Sequence, residues 1–271
     1  MSVLCQRERF MDQPSNAEEI SLDQSLQGKI ALITGASSGL GARFARVLAT
    51  AGARVIITAR RADRLDKLAD EISADGGEVL HETLDVTRLD SLPDFYENLS
   101  ARGWMPDILI NNAGMNISKP ALEISPEEYR QILGTNLDAP FFLATEFARR
   151  CIADGRAGRI INISSVGGFT VLPGLTPYCM SKSGLVMMTR GLAREWARHD
   201  INVNALCPGY IETEINDFWW GTQGGQKQIN SFPRRRLAEQ NDLDGAILLL
   251  AGPLGKGITG TTLKVDDGQY I

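Results

Sequence analysis

The segment Thr34-Gly35-Ala36-Ser37-Ser38-Gly39-Leu40-Gly41 stands between a short apolar run, 29–34, and an amphipathic pattern of helical period at about 40–51. Glycine is needed where backbone turns tightly and approaches another group closely. A helix that starts just after such a turn presents free N–H groups and the positive end of its dipole. Strand, glycine turn and helix in that order restrict the chain to folds in which a strand feeds a crossover helix. The rest of the chain repeats the alternation. Further strand candidates are 54–59, 78–84, 107–111, 159–164, 201–207 and 261–265, and helical patterns fall at about 62–75, 88–101, 126–150, 177–199 and 241–251. These strands are short, rich in Ile and Val and apolar on both faces, as strands covered by helices on both sides are. The pattern predicts an α/β protein with a single doubly wound parallel sheet of about seven strands and helices on both faces.

The 271 residues suffice for one large domain, and no internal repeat or linker divides them. Residues 1–27 are polar and lack periodicity, so they read as an N-terminal tail or arm, with a catalytic domain over 28–271. The stretch 210–240 breaks the alternation. It carries Phe218-Trp219-Trp220, then Gly221, Gly224 and Gly225, then Arg234-Arg235-Arg236. It reads as a substrate-covering insertion with glycines for hinges. A net charge of −5 argues against nucleic acid or an anionic membrane as partner. No run of eighteen apolar residues is present, so no membrane span is expected. Arg7 and Arg9 are followed by acidic residues and no apolar segment, unlike a signal peptide. The four cysteines lack Cys-x-x-Cys spacing and only His81 and His199 accompany them. The expectation is no metal and reduced thiols in a cytoplasmic protein.

Thirteen residues after Ser165 comes Tyr178-Cys179-Met180-Ser181-Lys182. On a helix Tyr178 and Lys182 lie one turn apart on the same face. A phenol titrating near 10 is a poor proton donor or acceptor at neutral pH, and a cation beside it favours the phenolate and lowers that value. A hydroxyl such as Ser165 can then hold a carbonyl oxygen while the phenol protonates it. The bland alternative is a half-buried Tyr with a solvated Lys. At the end of the second strand, where a carboxylate would accept from a ribose 2′-hydroxyl, stand Arg60 and Arg61. A guanidinium pair suits a 2′-phosphate instead, so NADP(H) is favoured over NAD(H). A solvated basic turn is the alternative there.

With the G-x-x-x-G-x-G spacing and the Ser…Tyr-x-x-x-Lys set together, the chain resembles the short-chain dehydrogenase/reductase family, from about Gly28 to Gly268. Further motifs carry the likeness: Leu84-Asp85-Val86, Asn111-Asn112-Ala113-Gly114, Asn136, Asn162-Ile163-Ser164-Ser165 and Pro208-Gly209-Tyr210-Ile211-Glu212-Thr213. The resemblance implies a Rossmann-type fold and an oxidoreductase that interconverts a ketone and a secondary alcohol. It implies that Gly35, Ser37, Ser38, Gly39, Leu40 and Gly41 line a pyrophosphate and that Asp85 and Val86 hold adenine. Asn112, Ala113 and Gly114 would flank the adenine ribose side. Pro208, Gly209, Ile211 and Thr213 would stand at the nicotinamide, with Tyr178 and Lys182 reaching the cofactor too. Asn136, Ser165, Tyr178 and Lys182 would form a catalytic tetrad, in which a carbonyl of Asn136 holds a water for proton relay. Val265-Asp266-Asp267-Gly268 has Asp where many members have Gly, a departure without a role at this stage.

The substrate side is expected to be apolar. Phe169, Val171, Leu172 and Leu175 would form one wall, Phe218 and Trp219 the other, with Met115, Asn116 and Ile117 reaching the same cleft. Ser165 and Tyr178 would meet the reacting oxygen. This favours a hydrophobic, aromatic or cyclic ketone. A 3-oxoacyl thioester on coenzyme A or an acyl carrier protein is the alternative, because the likeness extends to the 3-oxoacyl reductase branch. A basic rim for an acidic carrier is offered by Arg156, Arg159, Arg198 and Arg234 to Arg236, diluted by Asp154, Glu195 and Asp200. A non-catalytic nucleotide sensor is a further alternative. The resemblance also implies a homo-oligomer, dimer or tetramer, packed through the helical stretches 126–150 and 177–199.

Overall fold

The computed structural model describes residues 26–213 and 217–270. Seven strands, β1 (Ile30–Thr34), β2 (Arg54–Ala59), β3 (Val79–Thr83), β4 (Ile108–Asn111), β5 (Gly158–Ile163), β6 (Ile201–Pro208) and β7 (Thr262–Val265), form one sheet. Their order is β3-β2-β1-β4-β5-β6-β7 and every pairing is parallel. The helices are α1 (Gly39–Thr50), α2 (Ala62–Ala74), α3 (Leu92–Ala101), α4 (Pro126–Leu133), α5 (Ala139–Ala153), α6 (Thr176–Trp196), α7 (Asp217–Trp220), α8 (Gln223–Ser231) and α9 (Asp244–Ala251). The seven expected strands and the crossover helices form where the periodicity placed them, within a few residues at each end.

Alternation along each strand explains the two layers, since successive side chains leave a strand on opposite faces. Ala31, Ile33, Val55, Ile57, Ile110 and Ile161 pack on one side with Phe44, Leu48, Leu65 and Leu250 of α1, α2 and α9. Leu32, Ile56, Leu109 and Ile160 pack on the other with Tyr96, Leu143 and Phe147 of α3 and α5. Each such side chain contributes about 1.5–3 kcal/mol by leaving water, so polar substitution at any strand centre would cost the sheet a layer contact. Leu26 is buried in the first layer and donates its N–H to Ala51 O at 3.0 Å. The domain therefore begins before Gly28, and the rest of the expected arm, 1–25, lies outside the described residues.

Because the chain leaves β1 and β4 toward opposite flanks of the sheet, a crevice opens at the carboxyl ends of these neighbours, where ligands of open α/β sheets bind. The glycine turn follows β1, and Asn111–Gly114 ends β4.

Two expectations are corrected by the fold. The pattern at 126–150 is not one helix: α4 and α5 are joined by a π turn, Gly134–Asp138, with Asn136 buried inside it. In the stretch 210–240 the described residues form two short helices, α7 and α8, where an irregular insertion was expected. Gly224 and Gly225 lie within α8, where a Cβ on Gly224 would come 2.6 Å from the Trp219 ring. A Cβ on Gly225 would collide with the Trp219 backbone carbonyl. These glycines give room to Trp219, a packing role that composition alone cannot separate from a hinge. Among the described residues no helix is long and apolar enough to cross a membrane, and no cluster of metal-ligating side chains occurs.

Candidate active site

Gly35 and Gly39 adopt φ of +67° and +53°, the left-handed region that side chains disfavour. A Cβ on Gly35 would lie 2.8 Å from Ala113 Cα, so the turn after β1 presses on the end of β4. Asn112 holds that contact: its Nδ2 donates to Thr34 O at 2.9 Å and to Gly35 O at 3.2 Å. Ser38 takes the N-cap position of α1 without capping it; its hydroxyl accepts from Arg61 Nη2 at 2.8 Å. Arg61 also donates to Ser37 Oγ, at 3.0 Å from Nη2. The first-turn N–H groups of α1 thus lack a capping side chain, carry no acidic neighbour and face the turn that Gly35 and Gly39 make. That arrangement fits the pyrophosphate of a dinucleotide.

Arg60 at the end of β2 is exposed. Asp85 accepts from Thr87 N at 3.0 Å and Thr87 Oγ1 at 2.7 Å. Those bonds, with the charges of Arg60 and Arg88 nearby, hold its carboxyl below the usual carboxylate range. Val86 beside it is buried. Thr213 approaches the loop from the far side, its Cγ2 3.8 Å from where a Cβ of Gly39 would stand. The Ile211 side chain packs into the core, and its backbone forms a parallel bridge with Ala238. Gly209 follows Pro208 at the end of β6 and donates to Val265 O at 3.1 Å.

Gly114 follows the end of β4. A Cβ on it would sit 3.5 Å from Asn136 Oδ1 and 3.6 Å from Lys182 Nζ. It therefore flanks Asn136 and Lys182, while Asn112 is bound into the glycine turn.

The four tetrad positions converge through α6 and the π turn. Tyr178 opens α6 and Lys182 follows one turn on. Ser165, just past the end of β5, accepts from Gly167 N at 3.0 Å and stands close enough to the phenol to favour its ionised form. Asn136 is fully buried; its Oδ1 accepts from Met115 N at 2.9 Å, and its Nδ2 donates to Met115 O at 2.8 Å and Ser181 Oγ at 3.0 Å. Ser181 donates to Tyr178 O at 2.7 Å. The side-chain amide is thus occupied by structural bonds, and any further partner would have to meet the backbone carbonyl. Pro140, four residues on, has no N–H to send to that carbonyl in an α-helix. Ser181 and Pro140 were missed in the sequence; both lay at readable spacings, one inside Tyr-x-x-x-Lys and one four residues after Asn136.

The electrostatics differ from expectation in one respect. Lys182 Nζ is 5.7 Å from the Tyr178 ring centroid and donates to Ile163 O at 2.8 Å. Burial pushes the phenol up to about 12, with Ser165 opposing the rise. Lys182 is not among the groups that move it. Burial also brings Lys182 down to about 8. The ammonium gives one of its three N–H groups to a backbone carbonyl, and the phenol, held at about 12, is a proton donor across neutral pH.

On the substrate side Leu172 is buried beside Tyr178: a Cβ on Gly167 would meet Leu172 Cδ1 at 3.0 Å and Tyr178 Cε1 at 3.3 Å. Phe169 and Val171 are exposed. Met115 is held through its backbone by Asn136. Trp219 is folded onto its own segment, with Nε1 donating to Gln228 Oε1 at 2.8 Å, and Phe218 is exposed. The aromatic that turns inward is Trp220, edge-on to Tyr210 with centroids 5.2 Å apart; Phe232 stacks on Tyr210 at 5.7 Å. Tyr210, directly after Pro208-Gly209, lies near enough to Tyr178 for its charge to act on the phenol, and the sequence reading did not single it out.

A parallel sheet with this turn, a buried Tyr-Lys pair and a serine on the phenol defines a dinucleotide-dependent oxidoreductase. Residues 29–223 match the family model of the short chain dehydrogenases. A gluconate 5-dehydrogenase of Gluconobacter oxydans is 34% identical over 248 residues, covering 91% of this chain and 96% of the relative. A 3-oxoacyl-(acyl-carrier-protein) reductase of Haemophilus influenzae is 38% identical over 249 residues, covering 91% of this chain and 100% of the relative. The crystal structure of a gluconate 5-dehydrogenase from Burkholderia cenocepacia J2315, in complex with NADP and tartrate, superposes with a TM-score of 0.87 at 35% identity. That superposition covers 92% of this chain and 98% of the other. The chain belongs to the short chain dehydrogenase family, and it is an oxidoreductase that interconverts a ketone and a secondary alcohol with a nicotinamide dinucleotide.

Proposed function

We propose that this enzyme is an NADP(H)-preferring carbonyl reductase acting on a hydrophobic, aromatic or cyclic ketone, in the cytoplasm and as a homo-oligomer. The observation that carries the cofactor preference is Arg61 bonded to Ser37 and Ser38, with Arg60 beside it and no carboxylate at the end of β2. Two guanidinium groups at the rim of the glycine cradle offer the bidentate donors that a 2′-phosphate needs. A bound nicotinamide supplies the hydride chemistry. Tyr178 holds the proton for the carbonyl oxygen, Ser165 orients that oxygen, and Asn136 and Lys182 stand behind them for proton supply. Leu172, Tyr210 and Met115 make the apolar surroundings in which such donors act strongly. Exposed Phe141 and Phe142 on α5 and Met187 on α6 support subunit contact through those helices.

A second reading comes from the relatives. They include enzymes named for 3-oxoacyl-carrier thioesters and for gluconate, so the substrate is tested against both. NADPH and NADH consumption is followed with bulky ketones, acetoacetyl thioester and 5-keto-gluconate, with Tyr178→Phe as control. Turnover of bulky ketones with NADPH at higher kcat/KM supports the proposal. Superior thioester or keto-acid turnover replaces its substrate, and NADH superiority replaces its cofactor.

A further inference from the structure

The C-terminal segment after β7 holds both ends of the 210–240 stretch. Gln269 Oε1 accepts from Tyr210 N at 2.6 Å and its Nε2 donates to Tyr210 O at 3.1 Å, so a buried amide clasps the residue next to Tyr178's side of the cleft. At the other end, Arg236 Nε donates to Asp267 Oδ2 at 2.8 Å and Arg234 Nη1 lies 3.1 Å from Asp267 Oδ1. Between these arginines, Arg235 has φ of +51°, and Asp267 itself has φ of +52°. Left-handed backbone is disfavoured in a residue with a Cβ, more for Arg than for Asp. Here it occurs on both sides of one ion pair, where the turn at Arg235 lets its two neighbours reach the same carboxylate. Single exposed ion pairs contribute little. This carboxylate is only 11% exposed and takes two guanidinium partners, which makes it a network rather than a surface pair.

What the network holds is the aromatic wall. Phe232, two residues before Arg234, is buried and stacks on Tyr210. Tyr210 meets Trp220 edge-on and has the Tyr270 ring at 6.1 Å. Ala238 N donates to Tyr210 O at 3.0 Å. We propose that Asp267 is a positioning residue for substrate. By clamping Arg234 and Arg236 it seats Phe232, and through Phe232 it fixes Tyr210 beside Tyr178. The assignment rests on the reading of Tyr210's side of the cleft as the substrate side.

The test is Asp267→Asn, because Asn tolerates left-handed backbone at least as well as Asp and only the charge is lost. Three quantities are measured on the full chain. Trypsin cleavage after Arg234, Arg235 or Arg236, read by fragment mass, is expected to speed up about tenfold as charge-assisted bonds are lost. KM for the bulky ketone turned over best in the panel rises about tenfold while kcat stays within about threefold, and Tm moves by less than about 2 °C. Asp267→Glu, which keeps the charge, recovers most of the wild-type kcat/KM. Cleavage and KM both unchanged in Asp267→Asn overturn the assignment. So does a fall in kcat and Tm together, the mark of general destabilisation. Wild-type protein that turns over no carbonyl refutes the functional reading instead, and the cleavage ratio then decides by itself whether Asp267 clamps the segment.

Discussion

Asn136 donates through Nδ2 to Ser181 Oγ at 3.0 Å, and this bond ties the π turn to the first turn of α6 between Tyr178 and Lys182. π turns recur at functional sites because an extra residue in the turn redirects a carbonyl out of the helical ladder. Here Pro140 adds to the effect by withholding the N–H that an α-helix would aim at Asn136 O. Asn136→Ala removes three bonds and leaves the Met115 N–H and C=O without side-chain partners. We expect unfolding free energy to fall by about 2–4 kcal/mol and kcat/KM to fall by about 100-fold or more. Ser181→Ala keeps the Met115 bonds, so its kcat/KM loss should be at least about tenfold smaller. Equal losses in the two variants would mean that Asn136 acts through Ser181 alone.

Tyr178→Phe removes the proton donor with little change of shape. The phenol, at about 12, stays protonated throughout the neutral range, so its loss should remove general-acid catalysis without altering charge. Carbonyl reduction is expected to drop by about 10³-fold or more, with the dissociation constant for NADPH within about threefold of wild type. Fluorescence titration of the cofactor and single-wavelength kinetics give both numbers. Retained turnover would remove Tyr178 from its assigned role.

Lys182 sets the pH dependence. Its folded value near 8 lies below the ordinary lysine value because burial favours the neutral amine. The ammonium is therefore present below about pH 8 and lost above it, while Tyr178 does not titrate until far higher. Reductive kcat/KM should be level at pH 6–7 and decline above about 8. Arg at this position, protonated throughout, should flatten the profile at whatever activity it retains. A wild-type profile level to pH 10 would contradict the assignment. Stability follows the opposite sense. The cost of the buried charge is full below pH 8 and fades as pH rises from there toward the unfolded value. Lys182→Met should therefore stabilise the fold by about 1–2 kcal/mol at pH 7, net of the bond lost at Ile163 O, and by less at pH 10.

Arg60 and Arg61 divide the cofactor preference. Arg61 is already bonded to Ser37 and Ser38, so Arg61→Ala should loosen the glycine turn as well as the phosphate site and weaken both cofactors. Arg60→Asp puts a carboxylate where a ribose 2′-hydroxyl would want an acceptor. The ratio of kcat/KM for NADPH over NADH should shift by about 10–100-fold toward NADH. No shift in that ratio would remove Arg60 from the site.

The sheet was legible because its strands are apolar on both faces. Ile33, Ile57, Ile110 and Ile161 go to one layer and Leu32, Ile56, Leu109 and Ile160 to the other, a pattern only a doubly covered sheet satisfies. The Tyr178-Lys182 pair was legible because helical spacing fixes their common face. The π turn was not. Gly134 and Pro140 bracket it, but their spacing does not distinguish a π turn from a simple helix break, and the bonds from Asn136 to Met115 are tertiary. The direction of Lys182 was equally hidden, because a four-residue spacing does not say that Ile163 O will take the ammonium. Trp219 and Trp220 are adjacent and chemically alike. Only packing decides that Trp220 goes in and Trp219 turns onto Gly224.

That packing separates the two accounts of the glycines at 221–225. In an open helix, Gly→Ala is favourable by up to about 1 kcal/mol. Gly225 lies in α8, yet a Cβ there would collide with the Trp219 carbonyl, a backbone atom that cannot swing aside. The clash should outweigh the propensity gain, and Gly225→Ala is expected to lower stability by about 1–3 kcal/mol, in the range of overpacked sites. Gly221 has ordinary φ and nothing within 4 Å of where a Cβ would go. Gly221→Ala should leave both stability and kcat within about 0.5 kcal/mol of wild type, as surface substitutions do. Thermal melts and kcat on the two variants decide between packing and hinge. A hinge at this run would show the reverse ordering, with Gly221→Ala slowing turnover while Gly225→Ala melts like the parent, because a hinge residue is felt in motion rather than in packing.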